Sequence, residues 1–442
     1  MLFTGSDLKR LIIPLILEQF LAVAIGFADT VMVSSVGEAA VSGISLVDAI
    51  NILLINVFAA LATGGAVVTS QYIGRKEPDL AGQAAKQLLY TVLAVSLGIS
   101  LFSLVSRGWL LQMIFGSIEQ EVMASAQIYF LISAVSYPFL SVYNGSAALL
   151  RAVGNSKASL KTSILMNAIN IIGNALLIYV FDMGVAGAAL ATLFSRMVGA
   201  VIMLVVLKNP HPLLQIPSLH KFQWNNDMVR RILRVGVPTG LENGMFQLGK
   251  LLIQSLVASL GTIAIAANAV ANTLSSMQSI PGSAISLSMV AVVGRCIGAR
   301  EYKQAKHYVL FLMRLTYLTV GALVGVILLL NPLILKAFHL SPETTSLAQQ
   351  LVVIHGIFCI FFWPVSFTLP NALRASGDAK FTMLVSGLSM LTFRIVFSYI
   401  LVNQLHMGIL GIWIAMFIDW VFRSIAFVYR YYSGKWLQKA IL

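Results

Sequence analysis

The stretch LRAVGNSK, at residues 150–157, returns as LRASGDAK at residues 373–380, which is an offset of 223 residues. An offset of 224 relates Pro14 to Pro238, Glu18 to Glu242, and MGVAGAALA (183–191) to MGILGIWIA (407–415). A register that drifts by a single residue over half of the chain indicates two copies of one fold unit.

The composition of both copies excludes a water-soluble protein. Of the 442 residues, 58% are hydrophobic and 10% are charged, and the mean hydropathy is +0.88. Soluble domains carry about 25% charged residues, because a folded surface must face water. We therefore expect most of the surface of this chain to face the lipid bilayer.

The apolar runs are long and continuous, which indicates transmembrane helices, since the strands of membrane barrels alternate in pieces of about 10 residues. A membrane-spanning helix needs about 20 apolar residues. Twelve runs meet this need, near residues 11–36, 46–73, 84–106, 122–147, 159–181, 184–207, 232–259, 268–297, 307–331, 346–372, 381–402 and 407–429.

Six runs fall in each copy, and an even number gives both copies the same orientation. We predict an all-α polytopic membrane protein with twelve transmembrane helices in two parallel six-helix repeats around a central cavity. The predicted domains are an N-lobe at 1–208 with helices 1 to 6, a cytoplasmic linker at 209–230, and a C-lobe at 231–442 with helices 7 to 12. The linker region holds three prolines and is the longest polar stretch of the chain.

The net charge of +13 is interpreted as an orientation signal, because the bases fall mainly between the apolar runs. Lys and Arg concentrate in the cytoplasmic loops of membrane proteins, and among the loop bases only Arg107 and Lys336 lie on the other side of the predicted topology. We expect both termini in the cytoplasm and no nucleic-acid partner. The first apolar run lacks a small-residue cleavage site, so it is expected to remain as a span.

Several stretches carry a family resemblance. They are FADTVMV (27–33), TSQYIGRK (69–76), LRAVGNSK (150–157), NAINIIGNALLI (167–178) and VGRCIGARE (293–301). In this order and spacing they resemble the multidrug and toxic compound extrusion (MATE) family over essentially the whole chain.

The resemblance implies a monomeric secondary antiporter of the bacterial cytoplasmic (inner) membrane. Such a protein exports small organic molecules, often cationic drugs or toxic metabolites, in exchange for Na⁺ or H⁺, by rocking two lobes around a central cavity. The sequence has no GxxxxGK[ST] phosphate-binding loop, so ATP is not expected to supply the energy. We expect no cofactor other than the coupling ion.

Acids inside the predicted helices are functional candidates, because a carboxylate is costly within the bilayer. Glu18 and Asp29 are 11 residues apart, and at about 100° per residue they share one face of helix 1. The resemblance implies that the aspartate of the helix 1 motif is a protonation or Na⁺ site. Asp29 holds that position, and we predict it to be the principal ion-coupling residue.

Helix 5 carries a stripe of amides, Asn167, Asn170 and Asn174, at spacings of three and four residues. Their carbonyl oxygens can coordinate a cation or hold the Asp29 carboxylate. We predict ion coupling by all three and a possible Na⁺ site at Asp29, Asn170 and Asn174. Packing between helices through asparagine is the alternative. Several family members have an aspartate where this chain has Asn174.

The remaining candidates are predicted to line a substrate cavity or to act in gating. They are Glu18, Tyr137, Glu242, Gln247, Lys250, Trp363 and Arg394. Some family members have acids near Gln247 and Trp363 that this chain lacks, so a second Na⁺ site is not carried over. Asp419 and Arg423 are four residues apart on helix 12 and are predicted to pair with each other.

Two other functions stay open at the level of sequence. One is a flippase for lipid-linked precursors with related topology, which usually needs a more cationic cavity. The other is a membrane enzyme that modifies lipid, but none of the six histidines forms a recognisable acid–base or metal-binding arrangement. The drug spectrum and the choice between Na⁺ and H⁺ are not fixed by the sequence.

Overall fold

The computed structural model describes residues 2–116, 118–209, 211–219, 221–338 and 340–442, and within these ranges the side chains of Phe27, Ala28, Thr30 and Ala337 are not described. The described ranges are helical apart from their connections and form no β-strand. The helices are α1 (Gly5–Ser34), α2 (Glu38–Gly74), α3 (Pro78–Phe115), α4 (Gln120–Ala152), α5 (Ser156–Val180), α6 (Gly184–Lys208), α7 (Asn226–Ala258), α8 (Thr262–Gln278), α9 (Ile280–Gly298), α10 (Tyr302–Ala337), α11 (Pro342–Ser376), α12 (Ala379–Asn403) and α13 (Gly408–Tyr432).

The predicted span at 268–297 consists of two helices, α8 and α9. The first ends at Gln278 and the second begins at Ile280, with Pro281 in its first turn. Proline has no backbone N–H, so the helical hydrogen-bond ladder is interrupted here. Counted as one span, α8 and α9 bring the total to twelve, and the prediction of an all-α, twelve-helix membrane protein is confirmed.

Eleven of these helices are long and apolar enough to cross a membrane by themselves. The helix α7 is not among them, because its part after Arg234 carries Glu242 and Lys250 together with polar residues such as Asn243 and Gln247. Charges at this density inside a span need partners or a polar cavity. The charged residues of α7 therefore mark the places where this helix meets polar groups.

Most of the helices are longer than the predicted runs, and α2 and α3 are two examples. The runs at 46–73 and 84–106 become α2 and α3, which start at Glu38 and Pro78, and α3 continues to Phe115. Hydropathy reports only the part of a helix that lies in hydrocarbon, whereas polar turns beyond it still form helical hydrogen bonds. Pro78 in the first turn of α3 suits a helix start, since that N–H needs no intrahelical partner.

The helices form two compact units, residues 3–240 and residues 241–442, with Leu2 grouped with the second. In the first unit α2 packs against α4, and α4 packs against α3 and α6. In the second unit α8 packs against α11, α9 against α10, and α12 against α13. The lobe boundaries given by the sequence stay predictions.

The predicted linker lies along α3 in the first unit. Three side chains of one face of α3 donate hydrogen bonds to backbone carbonyls of alternate linker residues. These bonds run from Lys86 Nζ to Lys221 (2.7 Å), from Gln87 Nε2 to Gln223 (2.5 Å) and from the Tyr90 hydroxyl to Leu219 (2.9 Å). These three bonds attach residues 219, 221 and 223 of the linker to α3.

Gly82 lets the linker approach α3 closely. A Cβ atom at this position would lie 1.7 Å from the carbonyl oxygen of Gln215. We expect Gly82→Ala to push this part of the linker off α3. Tryptic cleavage after Lys221 should become about tenfold faster, since proteolysis follows the population of the open segment. Gly98→Ala on the same helix is the control, because nothing lies within 4 Å of its added Cβ. Equal cleavage rates in both variants would contradict this account.

Candidate functional site

The structure brings Asp29 of α1 together with two of the predicted amides of α5. The Asn174 side-chain amide donates a hydrogen bond to Asp29 Oδ1. The same amide nitrogen lies 3.4 Å from Asn170 Oδ1. Asn174 is buried and immediately precedes a π-helical turn, Ala175–Val180. Such turns widen a helix by one residue and occur often at functional sites.

Thr192 of α6 completes this group. The Asn170 amide donates to Thr192 Oγ1 at 3.1 Å, and the Thr192 hydroxyl donates to the carbonyl of Ala188 at 3.1 Å. Among the described residues, Asn174 Oδ1 is buried and has no hydrogen-bond partner. We call Asp29, Asn170, Asn174 and Thr192 the α1–α5–α6 oxygen cluster. Its carboxylate, amide and hydroxyl oxygens are the ligand types that hard cations prefer.

Asn167 is placed elsewhere. Its amide donates to the hydroxyl of Ser163, one turn earlier on α5, at 3.3 Å. A bond within the same helix leaves Asn167 outside the hydrogen bonds that join Asp29, Asn170 and Asn174. Its predicted role in ion coupling stays a prediction.

A second acid and a base lie close to the oxygen cluster, and neither is among the site residues predicted from the sequence. Arg196 of α6 donates from Nη1 to the hydroxyl of Ser136 at 2.6 Å. The positive charge of Arg196 acts on the carboxylates of both Asp29 and Asp48. The first unit therefore holds two acids and one base within electrostatic reach of each other, inside the membrane-spanning helices.

Asp48 of α2 is oriented by neighbouring polar groups. The Asn51 amide donates to Asp48 Oδ1 at 3.0 Å, and the Tyr137 hydroxyl donates to Asn51 Oδ1 at 2.9 Å. The side chain of Tyr129 also interacts with the Asp48 carboxylate. Tyr137 was predicted to line a cavity or to gate it, but its side chain is only 1% exposed and packs against Phe58. In this conformation Tyr137 positions Asp48 through Asn51.

A signal for Arg196 is present in the sequence. It is the only charged residue in the apolar run at 184–207. A lone base in a span is a functional candidate for the same reason as a lone acid. That criterion, applied to bases as strictly as to acids, is sufficient to identify Arg196 from the sequence.

Glu18 of α1 is held by residues of α4 and α5. The hydroxyl of Ser159 donates to Glu18 Oε2 at 2.5 Å. The charge of Arg151 acts on the Glu18 carboxylate. We call these three residues the first acid clamp.

Glu242 of α7 has equivalent partners in the second unit, and there the arginine forms an ion pair, which among the described residues Arg151 does not form with Glu18 within 4.0 Å. Arg374 Nη2 donates to Glu242 Oε2 at 2.7 Å, and the hydroxyl of Thr382 donates to the same oxygen at 3.3 Å. Arg423 Nη2 lies 3.9 Å from Glu242 Oε1. Glu242, Arg374 and Thr382, the second acid clamp, join α7, α11 and α12.

The two clamps are equivalent under the internal repeat. Arg151 and Ser159 correspond to Arg374 and Thr382 at an offset of 223, as Glu18 corresponds to Glu242 at 224. The sequence had indicated the paired glutamates but not their partners. The repeat therefore preserves an acid, a base and a hydroxyl at equivalent positions, and the acid and the base lie within ion-pair distance in the second unit.

The predicted pair of Asp419 and Arg423 is corrected by the structure. Among the described residues these two side chains form no ion pair within 4.0 Å; Ser389 donates to Asp419 Oδ1, and Arg423 Nη2 donates to the carbonyl of Ser366 at 3.0 Å. A spacing of four residues permits contact on an isolated helix. Inside a packed unit, the partners on neighbouring helices decide which contact forms.

Lys250 and Arg394 line one cavity of about 250 Å³ in the second unit. Gln247 and Trp363 are not among the described residues that line it. Trp363 is buried and stacks on Phe367, with ring centroids 5.2 Å apart. The structure thus places two of the cavity candidates of the second half, Lys250 and Arg394, in the lining of one cavity.

Comparison with known proteins gives consistent matches along the chain. The MatE family model matches twice, at residues 14–176 and 238–400, which reproduces the offset of 224. The "Probable multidrug resistance protein NorM" of Thermotoga maritima is 29% identical, over 99% of this chain and 94% of its own length. The "Uncharacterized transporter YisQ" of Bacillus subtilis is 26% identical, over 97% of this chain and 94% of its own length.

A solved structure shares the fold. It shows a multidrug resistance MATE family transporter of the MOP superfamily in an outward-facing conformation. The TM-score is 0.90 at 20% identity, over 98% of this chain and 96% of that one. At 20% identity, this similarity supports the fold only. The chemistry of the site must be argued from the residues of this chain.

Proposed function

Because the chain belongs to the multidrug and toxic compound extrusion (MATE) family of membrane transporters, we propose that it is a secondary antiporter that exports small organic molecules in exchange for Na⁺ or H⁺. Membership makes it a multi-pass transporter and not an enzyme. Its substrates would include cationic drugs or toxic metabolites, and the coupling ion would be the only cofactor.

The observation that carries this proposal is the α1–α5–α6 oxygen cluster. Asp29 provides one negative charge and accepts a hydrogen bond from the Asn174 amide, and Asn170 and Thr192 continue this hydrogen-bonded group with further neutral oxygens. Na⁺ would take its ligands from these oxygens, and a proton would bind to the Asp29 carboxylate itself. Either ion neutralises Asp29, so either is compatible with the site.

Coupling requires that the ion bind the two conformations of the transporter with different affinity. In this proposal the ion neutralises Asp29 and changes the hydrogen bond that joins α1 to α5. Rocking of the two lobes would then release substrate on one side of the membrane and the ion on the other. The protein would act as a monomer in the bacterial cytoplasmic membrane, with both termini in the cytoplasm and no nucleic-acid partner.

Transport by reconstituted protein tests this function. Purified protein in liposomes should move a fluorescent cation such as ethidium against its gradient when a Na⁺ gradient or a pH gradient is imposed. The two gradients are applied separately, and an ionophore that collapses the effective one should stop transport. If neither gradient drives transport, and lipid-linked precursors are flipped or lipids are modified instead, the antiport proposal is wrong.

A further inference from the structure

The cavity of about 250 Å³ in the second unit has two basic residues in its wall. Lys250 lies on α7, and Arg394 lies on α12 within a π-helical turn, Met390–Val396. No acid is among the described residues that line the cavity. A charged base inside a membrane-spanning helix raises the free energy of the protein. Two bases around one cavity are therefore expected to be stabilised by a ligand or by an opposite charge.

Nearby acids do not supply an ion pair to either base. Within the described residues, neither Lys250 nor Arg394 has a carboxylate oxygen within 4.0 Å. Asp419 acts on Arg394 only as a more distant charge, and its Oδ1 accepts from Ser389. Arg394 in turn acts on Lys250 as a like charge. The cavity wall therefore carries two bases that have no ion-pair partner within 4.0 Å among the described residues.

The polar groups of α7 and α8 also face this cavity. Asn268, Asn272 and Ser276 follow one another at intervals of four residues on α8, and Gln254 lies four residues after Lys250 on α7. Residues four apart share one face of a helix. Two polar stripes and the base on the π-helical turn thus converge on one small space.

Trp413 fixes the orientation of Asn268. The indole N–H of Trp413 donates to Asn268 Oδ1 at 3.0 Å, and both side chains are buried. An indole N–H can only donate, so the oxygen of the Asn268 amide must face Trp413. The amide NH₂ is then the group that Asn268 can offer to the cavity. A fixed donor beside two cations is suited to an anion and unsuited to a cation.

We propose that this cavity binds the anionic group of the transported molecule, a carboxylate, sulfonate or phosphate, through Lys250, Arg394 and the Asn268 amide. The inference rests on the proposed export function and adds molecules that carry an anionic group, including zwitterions, to its substrate class. The anionic group would belong either to a small solute or to a lipid. Apolar side chains such as Met416 complete the wall and would contact the organic part of the ligand.

Binding of three matched probes to the full-length protein tests the proposal. The probes are coumarin-3-carboxylate, its uncharged ethyl ester and cationic 3-(aminomethyl)coumarin, and fluorescence anisotropy reports their binding to protein in phosphatidylcholine nanodiscs. The carboxylate should bind at least about tenfold more tightly than the other two. Lys250→Gln and Arg394→Gln should each weaken carboxylate binding about tenfold, since each removes a charge-assisted contact, and leave ester binding unchanged.

Two further variants control for folding and for general charge effects. Lys250→Arg keeps the charge and should retain carboxylate binding, even if a neutral variant fails to fold. Arg314→Gln removes a base from the exposed face of α10 in the same unit and should change nothing. Equal affinity for all three probes, or equal effects of Arg314→Gln and Lys250→Gln, would overturn the proposal.

Competition between the carboxylate probe and short-chain lipids identifies the source of the anionic group. If dihexanoyl-phosphatidylglycerol displaces the carboxylate probe and dihexanoyl-phosphatidylcholine does not, the anion site is supported and a lipid headgroup is its ligand. If neither lipid displaces the probe, the site is supported as one for small solutes. These measurements need no ion gradient. Carboxylate-selective binding without ion-driven transport would refute the antiport alone, and transport without selective binding would refute the anion site alone.

Discussion

Replacing Asp29 with asparagine is expected to lower ion-driven transport at least about a hundredfold, which corresponds to about 2.7 kcal/mol, while the protein still folds. Asparagine has nearly the same shape as aspartate, but it can neither take up a proton nor neutralise Na⁺. Asp29 is the only charged member of the α1–α5–α6 oxygen cluster. The measurement is substrate transport by reconstituted protein under the effective ion gradient.

Asp182→Asn is the matched control for this variant. Asp182 is an exposed acid after the end of α5, and its φ of 52° is tolerated by asparagine. The control should transport at the wild-type rate. If Asp29→Asn also transports at that rate, Asp29 is not the coupling residue, and Asp48 beside Arg196 becomes the next carboxylate to examine.

Glu242→Gln is expected to lower the free energy of unfolding by about 3–5 kcal/mol, because removing one partner of a buried ion pair leaves the other charge uncompensated. Glu242 is 2% exposed and is bound by Arg374 at 2.7 Å, with Arg423 at 3.9 Å. Unfolding of purified protein by sodium dodecyl sulfate, followed by circular dichroism, measures the change.

A second variant separates the ion pair from general sensitivity of the second unit. Glu242→Gln with Arg374→Gln removes both charges and should recover part of the lost stability. Glu343→Gln, in the first turn of α11 and exposed, should change the free energy of unfolding by less than about 1 kcal/mol. Wild-type stability in Glu242→Gln would show that the second acid clamp contributes little to the fold.

The twelve spans could be predicted because each depends on about 20 consecutive residues. A signal that long outweighs local irregularities, such as the interruption at Pro281 that divides one span into α8 and α9. The internal repeat could also be predicted from the sequence. LRAVGNSK and LRASGDAK are separated by nearly the same number of residues as Pro14 and Pro238, far away in the chain. Long-range regularity in the sequence is therefore enough to give the architecture.

The contacts within the sites were only partly predictable. Asp29, Asn170 and Asn174 could be grouped because a helical stripe and a family motif indicated the same place. Arg196 and Asp48 have no such local pattern, and their proximity depends on how α2 packs against α4 and α6.

The mistaken pair of Asp419 and Arg423 has the same origin. Helical spacing says which side chains can meet, whereas the surrounding helices decide which do. The π-helical turns after Asn174 and around Arg394 also shift the direction of side chains in a way that a period of 3.6 residues does not show.

The unpartnered oxygen of Asn174 bears on how strongly the oxygen cluster would bind a coupling ion in the proposed antiport. A buried polar atom without a hydrogen bond costs about 1–3 kcal/mol, and Asn174 Oδ1 is such an atom among the described residues. A cation that coordinates this oxygen removes that cost and adds the difference to its own affinity. In the proposed antiport, this contribution would act at the junction of α1 and α5, where the ion would bind.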